Sequence, residues 1–229
     1  MPELSFTVVD IAPEPYAAAP TLLARLRVEE TTGERVHALA LRAQVRIEPR
    51  RRRYDDTEEQ ALLDLFGDRT RFAQTLKPFS WLHTATVAQG FTGSTELDLT
   101  LPCTYDFEVS GTTYLHALRD GEVPLLFLFS GTVFTRGATG FSVSPVPWDA
   151  EASFRLPVTV WRDLMEQHFP RSEWVRLQRD TVDALAYYRH RRGLTSWDAV
   201  VTTLLAEAID PAIDPAMGPA AMNPAGERP

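Results

Sequence analysis

The stretch Val123–Arg136, VPLLFLFSGTVFTR, constrains the fold more than any other part of the chain. Its first half, Leu125–Phe129, is an unbroken apolar run, and β-branched and aromatic residues follow Ser130-Gly131. A short continuous run of this composition is typical of a central strand that is buried on both faces. We expect a bulge or a close backbone approach at Ser130-Gly131. Turn signals on both sides predict that neighbouring strands fold back onto this one.

Other segments alternate apolar and polar residues with the period of a half-buried antiparallel strand. Thr21–Glu30 and Arg35–Glu48, joined at Thr31–Glu34, form the clearest predicted hairpin, with a slip in the alternation near Leu41-Arg42. Short strands separated by Gly and Pro turns are typical of a β-sandwich or a partly open barrel, and we predict a sandwich of about seven to nine strands. The remaining predicted strands are Leu4–Asp10, Phe79–Phe91, Glu96–Leu101, Tyr105–Val109, Gly140–Val143 and Glu151–Leu156, with Thr113–Leu118 either strand or helix.

Residues 55–77 interrupt the β pattern and predict a short helical insertion. Thr57 and Gln60 have the spacing of a capping box, with Thr57 as the N-cap, and Gly67 suits the end of that helix. At Pro157 the period becomes helical again. Three helices are predicted there: Pro157 to Phe169-Pro170, Ser172 to Gly193, and one that begins at Thr195 or Ser196.

The chain therefore divides into three predicted regions and has an α+β, β-rich fold class. Residues 1–156 form the antiparallel β-sandwich, with its helical insertion at about 55–77. Residues 157–208 form C-terminal helices packed on the sandwich. Residues 209–229 are dominated by Pro, Ala, Gly and Met, and we expect a disordered tail there because nothing in it can form a core.

Composition predicts a soluble cytoplasmic protein. A net charge of −8 argues against sequence-independent binding of nucleic acid, which needs clustered positive charge. Cys103 is the single cysteine, so the chain can form neither an internal disulfide nor a thiolate zinc site. The first residues lack the features of a signal peptide, and no segment has the ~18 apolar residues of a membrane span.

The run Arg50-Arg51-Arg52-Arg53 is the most conspicuous charge feature. It predicts either a binding patch for an anion or a protein partner, or a locally neutralised turn. Neutralisation is the stronger interpretation because four acids follow at once and favour the next helix N-terminus. Those acids are Asp55, Asp56, Glu58 and Glu59.

The candidate catalytic and metal-binding residues are sparse. The chain has no HExxH pattern, no nucleophile elbow and no phosphate-binding glycine loop. A metal site would require three or four ligands to converge through the fold, drawn from His83, Cys103, His116 and Asp or Glu side chains. No cofactor is predicted, and the sequence leaves an enzyme open while favouring a protein without catalytic activity.

The tryptophans are a second set of candidate residues for binding a partner. They predict either helices fixed to the sheet, which is the stronger interpretation, or an exposed apolar surface that binds a partner. The candidates for partner binding are Trp148 in a proline-rich linker and Trp161, Trp174 and Trp197 in the C-terminal helices.

Five phrases of the sequence resemble an uncharacterised actinobacterial protein family whose members tend to be encoded near genes of high-affinity nickel–iron hydrogenases. The resemblance covers most of the chain up to about Leu205 and implies an accessory role in assembly, maturation or complex formation of that hydrogenase. It implies no catalytic residues. The phrases are Pro15–Leu22, Thr31–Leu39, Tyr105–Val109, Phe129–Phe134 and Pro157–Met165.

Three hypotheses follow. The first is a non-enzymatic accessory protein that binds a protein partner, with hydrogenase subunits as the candidate. The second is a small hydrolase or metal-dependent enzyme with a dispersed site, in which His83, Cys103 and His116, or Asp106 and Glu108, converge in a cleft. The third is a structural homo-oligomer that uses the C-terminal helices as its interface.

Overall fold

The structure, a computed structural model, describes residues 2–104, 110–137, 140–171, 175 and 177–208. The chain divides into two units, Met1–Trp174 and Val175–Pro229. The predicted strand at Tyr105–Val109, the predicted helix start at Ser172 and the predicted tail at 209–229 lie outside the described residues. The three predicted regions stay a prediction.

Two antiparallel sheets form the first unit, as the sandwich prediction requires. One has the order β1-β2-β5; the other has the order β4-β3-β6-β7, with β8 also paired to β6. In the described part of the chain there are eight strands, within the predicted seven to nine. They are β1 (Leu4–Pro13), β2 (Thr21–Glu30), β3 (Val36–Ile47), β4 (Phe79–Phe91), β5 (Ser94–Pro102), β6 (Glu122–Gly137), β7 (Gly140–Pro145) and β8 (Glu151–Pro157).

Strand β6 is central, as its apolar run predicts, because it pairs with β3 on one side and with β7 and β8 on the other. Phe127 and Phe129 point into the core, and the Phe129 ring stacks on Phe6 of the other sheet at a centroid distance of 4.5 Å. Leu126 and Leu128 on the outer face are only half-buried. The prediction of burial on both faces was therefore too strong, since only one face meets the opposite sheet.

Gly131 provides the close backbone approach that the sequence predicts. Its φ is +152°, and a Cβ atom there would lie 2.1 Å from the carbonyl oxygen of Ala40. The pairing of β3 with β6 continues through this point without a register shift. Only a glycine allows the two strands to pack this closely.

The predicted hairpin between β2 and β3 is wrong. Strand β2 pairs with β1 and β5, whereas β3 pairs with β4 and β6, so Thr31–Glu34 crosses from one sheet to the other. The buried carboxylate of Glu30 supports this crossing, because its Oε1 accepts hydrogen bonds from the backbone N–H groups of Thr32 (3.1 Å) and Glu3 (3.3 Å). Alternation shows that a strand has one buried face; it does not show whether its sequence neighbour pairs beside it or packs across the core.

Strand β3 differs from its prediction in a second respect. Its register shifts lie between Val36 and Ala38 in the pairing with β6 and between Val45 and Arg46 in the pairing with β4. From Leu39 onward every second residue is buried as far as Ile47. The slip predicted near Leu41-Arg42 is therefore wrong, because the alternation continues through that point. Arg42 is exposed on the outer face of the sheet.

The helical insertion follows β3 and is confirmed in kind. Its N-cap is Asp55, whose Oδ1 accepts the Glu58 N–H at 2.8 Å, so the predicted cap at Thr57 is wrong by two residues. Gly67 ends the second helix, as predicted. The insertion consists of a 3-10 turn at Pro49–Arg51, α1 (Asp56–Ala61), α2 (Leu63–Phe66), a 3-10 turn at Arg69–Arg71 and α3 (Phe72–Thr75).

Two more helices complete the first unit. Helix α4 (Ser110–Ala117) settles the strand-or-helix alternative in favour of a helix. Helix α5 (Val158–His168) begins directly after Pro157 and buries Trp161 and Leu164 in the core, as its helical period predicts.

The second unit contains α6 (Arg179–Arg192) and α7 (Trp197–Ala208). Gly193 ends α6 in the left-handed conformation, and the Ser196 hydroxyl accepts the Ala199 N–H at 3.0 Å at the start of α7. Both of these boundaries agree with the sequence prediction. The helix predicted to end at Gly193 is too long at its start, because Val175, Leu177 and Gln178 are not helical and α6 begins only at Arg179. Glu207 joins the two helices by a 2.6 Å ion pair with Arg192.

Candidate partner-binding surface

The arginine run lies where β3 ends and the chain turns into the helical insertion. Pro49 starts the 3-10 turn, and the Arg51 guanidinium forms a 2.6 Å ion pair with the carboxylate of Glu48. Arg50 and Arg53 are exposed and form no ion pair with any described residue. The four arginines thus differ in their surroundings.

Arg52 is the buried member of the run. Its Nη2 lies 2.8 Å from both carboxylate oxygens of Glu58, and the two side chains are 8% and 4% exposed. Glu58 Oε1 also accepts the Arg119 N–H at 2.8 Å, and Arg52 Nη2 donates to the carbonyl oxygen of Asp120 at 3.2 Å. The pair therefore ties the arginine run to α1 and to the chain that enters β6.

The ring of Tyr54 packs against the Arg52 guanidinium. The Arg52 guanidinium carbon lies 5.0 Å from the Tyr54 ring centroid, a cation–π contact. The Tyr54 hydroxyl donates to the carbonyl oxygen of Pro49 at 2.6 Å and lies 2.8 Å from the Tyr114 hydroxyl. Burial raises the pKa of Tyr54 to about 12 and also raises the pKa of Tyr114, so both phenols are neutral and this contact is a hydrogen bond between hydroxyls.

An open groove of about 640 Å³ runs along the arginines. Arg155 of β8 faces Glu122 there, with 3.6 Å between Nη1 and Oε2. The chemistry of the groove suits the binding of anionic groups, since arginine presents several N–H donors in a rigid fork. The groove is lined by Arg50, Arg51, Arg52, Arg53, Gly121, Glu122 and Arg155.

Local neutralisation of the arginines is partial. Of the four acids that follow in sequence, only Glu58 pairs with the run; Asp55 caps α1, and Glu59 pairs with Arg69 at 3.1 Å. Glu48, which precedes the run, supplies the second pair. The carboxylates nearby in sequence are thus largely committed to the helical insertion itself.

Arg155 and Glu122 are the groove residues that sequence reasoning missed. Both lie far from the arginine run along the chain, on strands that pair with each other. The alternation of β8 places Arg155 on the outward face, but nothing in the local sequence indicates which surface it joins.

The candidate tryptophans do not share one surface in the first unit. Trp148 is 94% exposed in the turn between β7 and β8, whereas Trp161 is 1% exposed and belongs to the core. Trp161 packs α5 against Trp81 of β4, with 6.3 Å between the ring centroids, and presents almost no exposed surface. In the second unit Trp197 is 44% exposed and lies under the Arg189 guanidinium at 4.4 Å. Trp174 lies outside the described residues.

The candidate metal ligands and the candidate nucleophile lie on different elements of the fold. His83 is exposed on β4 opposite Gln44, and His116 on α4 meets the Trp161 ring edge-on at 5.6 Å. Cys103 is 6% exposed, and burial raises the pKa of its thiol to about 12, so it is a weak nucleophile at neutral pH.

Within the described ranges no group of three or more His, Cys, Asp and Glu side chains could hold a metal ion. Asp106 and Glu108 lie outside those ranges. None of the described helices combines the length and the hydropathy that a membrane span requires.

The fold and the groove define a class: an antiparallel β-sandwich protein with a helical insertion and an arginine-lined surface groove. The chain belongs to DUF6084, a family of unknown function, whose model matches residues 1–212. This confirms the expected membership of an uncharacterised family. No curated protein matches the sequence.

Solved structures show only distant likeness. A β-glucosidase from Kluyveromyces marxianus aligns with 67% of this chain at 9% identity and a TM-score of 0.24. The chain spans 15% of the length of that enzyme. The solution structure of a putative late embryogenesis abundant protein aligns with 69% of this chain and 73% of its own at 12% identity and a TM-score of 0.30.

Proposed function

We propose that this protein is a non-enzymatic accessory protein that binds a protein partner through the arginine groove. The observation that carries the proposal is the assembly of one basic surface from two segments that are distant along the chain. Arg50–Arg53 and Arg155 meet across it, on a chain whose net charge is −8. A concave basic surface on an acidic protein favours one orientation of an approaching partner.

The rigidity of the groove supports the same proposal. Arg52 is held by Glu58, by the Asp120 carbonyl and by the Tyr54 ring, so the floor of the groove is ordered before a partner arrives. A preorganised surface loses less side-chain entropy on binding than one built from free arginines. Arg50 and Arg53, which have no described ion-pair partner, line the groove beside Arg52.

The first partner to test is a subunit of a nickel–iron hydrogenase. This choice rests on the resemblance to the actinobacterial family, which implies an accessory role in assembly, maturation or complex formation of that hydrogenase. The groove is compatible with any acidic protein surface, so the identity of the partner requires its own experiment.

That experiment is an affinity pull-down from the native organism with three versions of the full chain as bait. They are the wild type, the double variant Arg50→Gln/Arg53→Gln, and the control Arg25→Gln/Arg27→Gln. The control removes the same charge from exposed arginines that pair with Asp98 and Glu96 on the other sheet. Bound proteins are identified by mass spectrometry, and the metal content of each sample is measured.

The proposal predicts stoichiometric recovery of hydrogenase subunits with the wild type and with the control, and reduced recovery with the groove variant. Equal recovery with all three baits would mean that the contact lies elsewhere. A bait that is recovered alone and carries metal would contradict the proposal and favour a metal-dependent enzyme.

A further inference from the structure

The arginine groove also indicates the chemistry of the group that it binds. We infer that it receives an acidic, carboxylate-bearing segment of the partner, with Arg50 and Arg53 as the contacting cations and Arg52 as a fixed donor behind them. This inference rests on the proposed function and deepens it, because it names what the partner must present.

The charge balance of the groove supports a small number of carboxylates. Five arginines are present, and three glutamates counter them: Glu48 pairs with Arg51, Glu58 with Arg52, and Glu122 faces Arg155. The surplus is two positive charges, and Arg50 and Arg53 are the two arginines that have no described ion-pair partner. Two carboxylates would balance this surplus.

Arg52 adds an independent observation. Its Nη1 atom is buried and has no hydrogen-bond partner among the described residues, although its Nη2 makes three hydrogen bonds. Its side chain is 8% exposed and lines the groove. A buried guanidinium N–H without an acceptor is unfavourable, so Arg52 keeps unused donor capacity beside the groove, which favours an anionic group there.

The groove suits a carboxylate better than a nucleic-acid backbone. A nucleic acid presents a row of phosphates and requires a matching row of cations, whereas this surface has a surplus of two and carries Glu122 on its wall. The net charge of −8 on the whole chain would repel the rest of a polyanion. A short acidic peptide meets only the local positive field.

The test is fluorescence anisotropy with the full chain and a labelled decapeptide of alternating Glu and Gly. A peptide with Gln in place of Glu controls for carboxylates. A phosphoserine peptide of the same length and a single-stranded decanucleotide test the other anions. The proteins are the wild type, Arg50→Gln/Arg53→Gln and Arg25→Gln/Arg27→Gln, each checked for an unchanged circular dichroism spectrum.

We expect the Glu peptide to bind the wild type and the Arg25→Gln/Arg27→Gln control alike, and the groove variant about tenfold more weakly. The Gln peptide should not bind. Equal weakening in the control variant would show a long-range charge effect and overturn the inference. Tighter binding of the phosphoserine peptide or of the oligonucleotide, or no binding of the Glu peptide to the wild type, would also overturn it.

Failure here and failure of the proposed function have different signatures. If the Glu peptide does not bind but the pull-down loses its partner with Arg50→Gln/Arg53→Gln, the surface is correct and the ligand chemistry is wrong. If the pull-down recovers no partner with any bait, the proposed function itself fails.

Discussion

Arg52 and Glu58 form a buried ion pair in which one arginine nitrogen, Nη2, lies 2.8 Å from both carboxylate oxygens. The pair joins the end of the arginine run to helix α1, and Glu58 extends it to the Arg119 backbone. The pair therefore fixes the position of Arg52 at the base of the groove. Its removal should affect stability as well as binding.

Replacing Arg52 by Ala should lower the free energy of unfolding by about 3–5 kcal/mol, because the buried Glu58 side chain would lose its ion-pair partner. Urea unfolding followed by circular dichroism measures the change. The matched control is Arg27→Ala, which breaks an exposed pair with Glu96 of similar length, 2.7 Å, and should cost at most about 1 kcal/mol. Equal effects of the two substitutions would show that burial of the Arg52–Glu58 pair has no energetic consequence.

Gly131→Ala should destabilise the sandwich by more than the lost conformational freedom of glycine alone would explain. The new Cβ would lie 2.1 Å from the Ala40 carbonyl oxygen, so β3 and β6 must separate locally. Gly140→Ala is the control, since Gly140 has nearly the same φ, +147°, and a Cβ atom added there would have no atom within 4 Å. We expect the free energy of unfolding of Gly131→Ala to be about 1–3 kcal/mol lower than that of Gly140→Ala. Thermal or urea unfolding that ranks the two variants equally would contradict the close approach.

The thiol of Cys103 should make the protein less stable in alkali. Burial raises its pKa from 9.0 to about 12, so above pH 9 the unfolded chain releases a proton that the folded chain keeps. This contribution to stability is complete below pH 9 and is lost as the pH rises toward 12. The free energy of unfolding of the wild type should fall, relative to that of Cys103→Ala, by about 1.4 kcal/mol per pH unit above about pH 9. Parallel curves between about pH 8 and 10.5 would contradict the buried neutral thiol.

Glu30 should contribute stability that is lost in acid. Hydrogen bonds from the Thr32 side chain and from nearby backbone N–H groups lower the pKa of this carboxyl below its usual 4.5. The unfolded chain therefore takes up a proton first as the pH falls, and the contribution disappears as the pH passes the lower folded pKa.

The measurement compares urea unfolding of the wild type, Glu30→Gln and Glu29→Gln between about pH 6 and 3. The wild type and Glu29→Gln should lose stability in parallel, because Glu29 is the exposed neighbour on β2. Glu30→Gln should lose less over this range. A slope for Glu30→Gln equal to that of the wild type would show that the carboxylate does not support the crossing between sheets.

The buried face of α5 and two helix boundaries could be predicted closely from the sequence. The spacing of Val158, Trp161 and Leu164 identified the buried face of α5, and Gly193 and Ser196 marked the end of α6 and the start of α7. These signals are local, because a helix forms its hydrogen bonds and its buried stripe within one segment. The N-cap of α1 was missed because Asp55 and Thr57 are both suitable capping residues, and local sequence does not rank them.

The candidate site could be predicted only in part. The sequence singles out Arg50–Arg53, but their roles differ through contacts that are distant along the chain: Arg52 is fixed by the Asp120 carbonyl, and Arg155 joins the groove from β8. The prediction also grouped Trp148 with Trp161, although one is solvent-exposed and the other is core. Residue type alone does not distinguish these environments.

The sequence by itself determined most of the strands and helices, that β6 is central and that Gly131 allows a close approach, because periodicity and the missing side chain of glycine act locally. Only the tertiary structure decided that β2 and β3 belong to opposite sheets and that Arg155 meets Arg50–Arg53. Pairing partners and shared surfaces depend on which faces bury the most apolar area together, and that is a property of the whole chain.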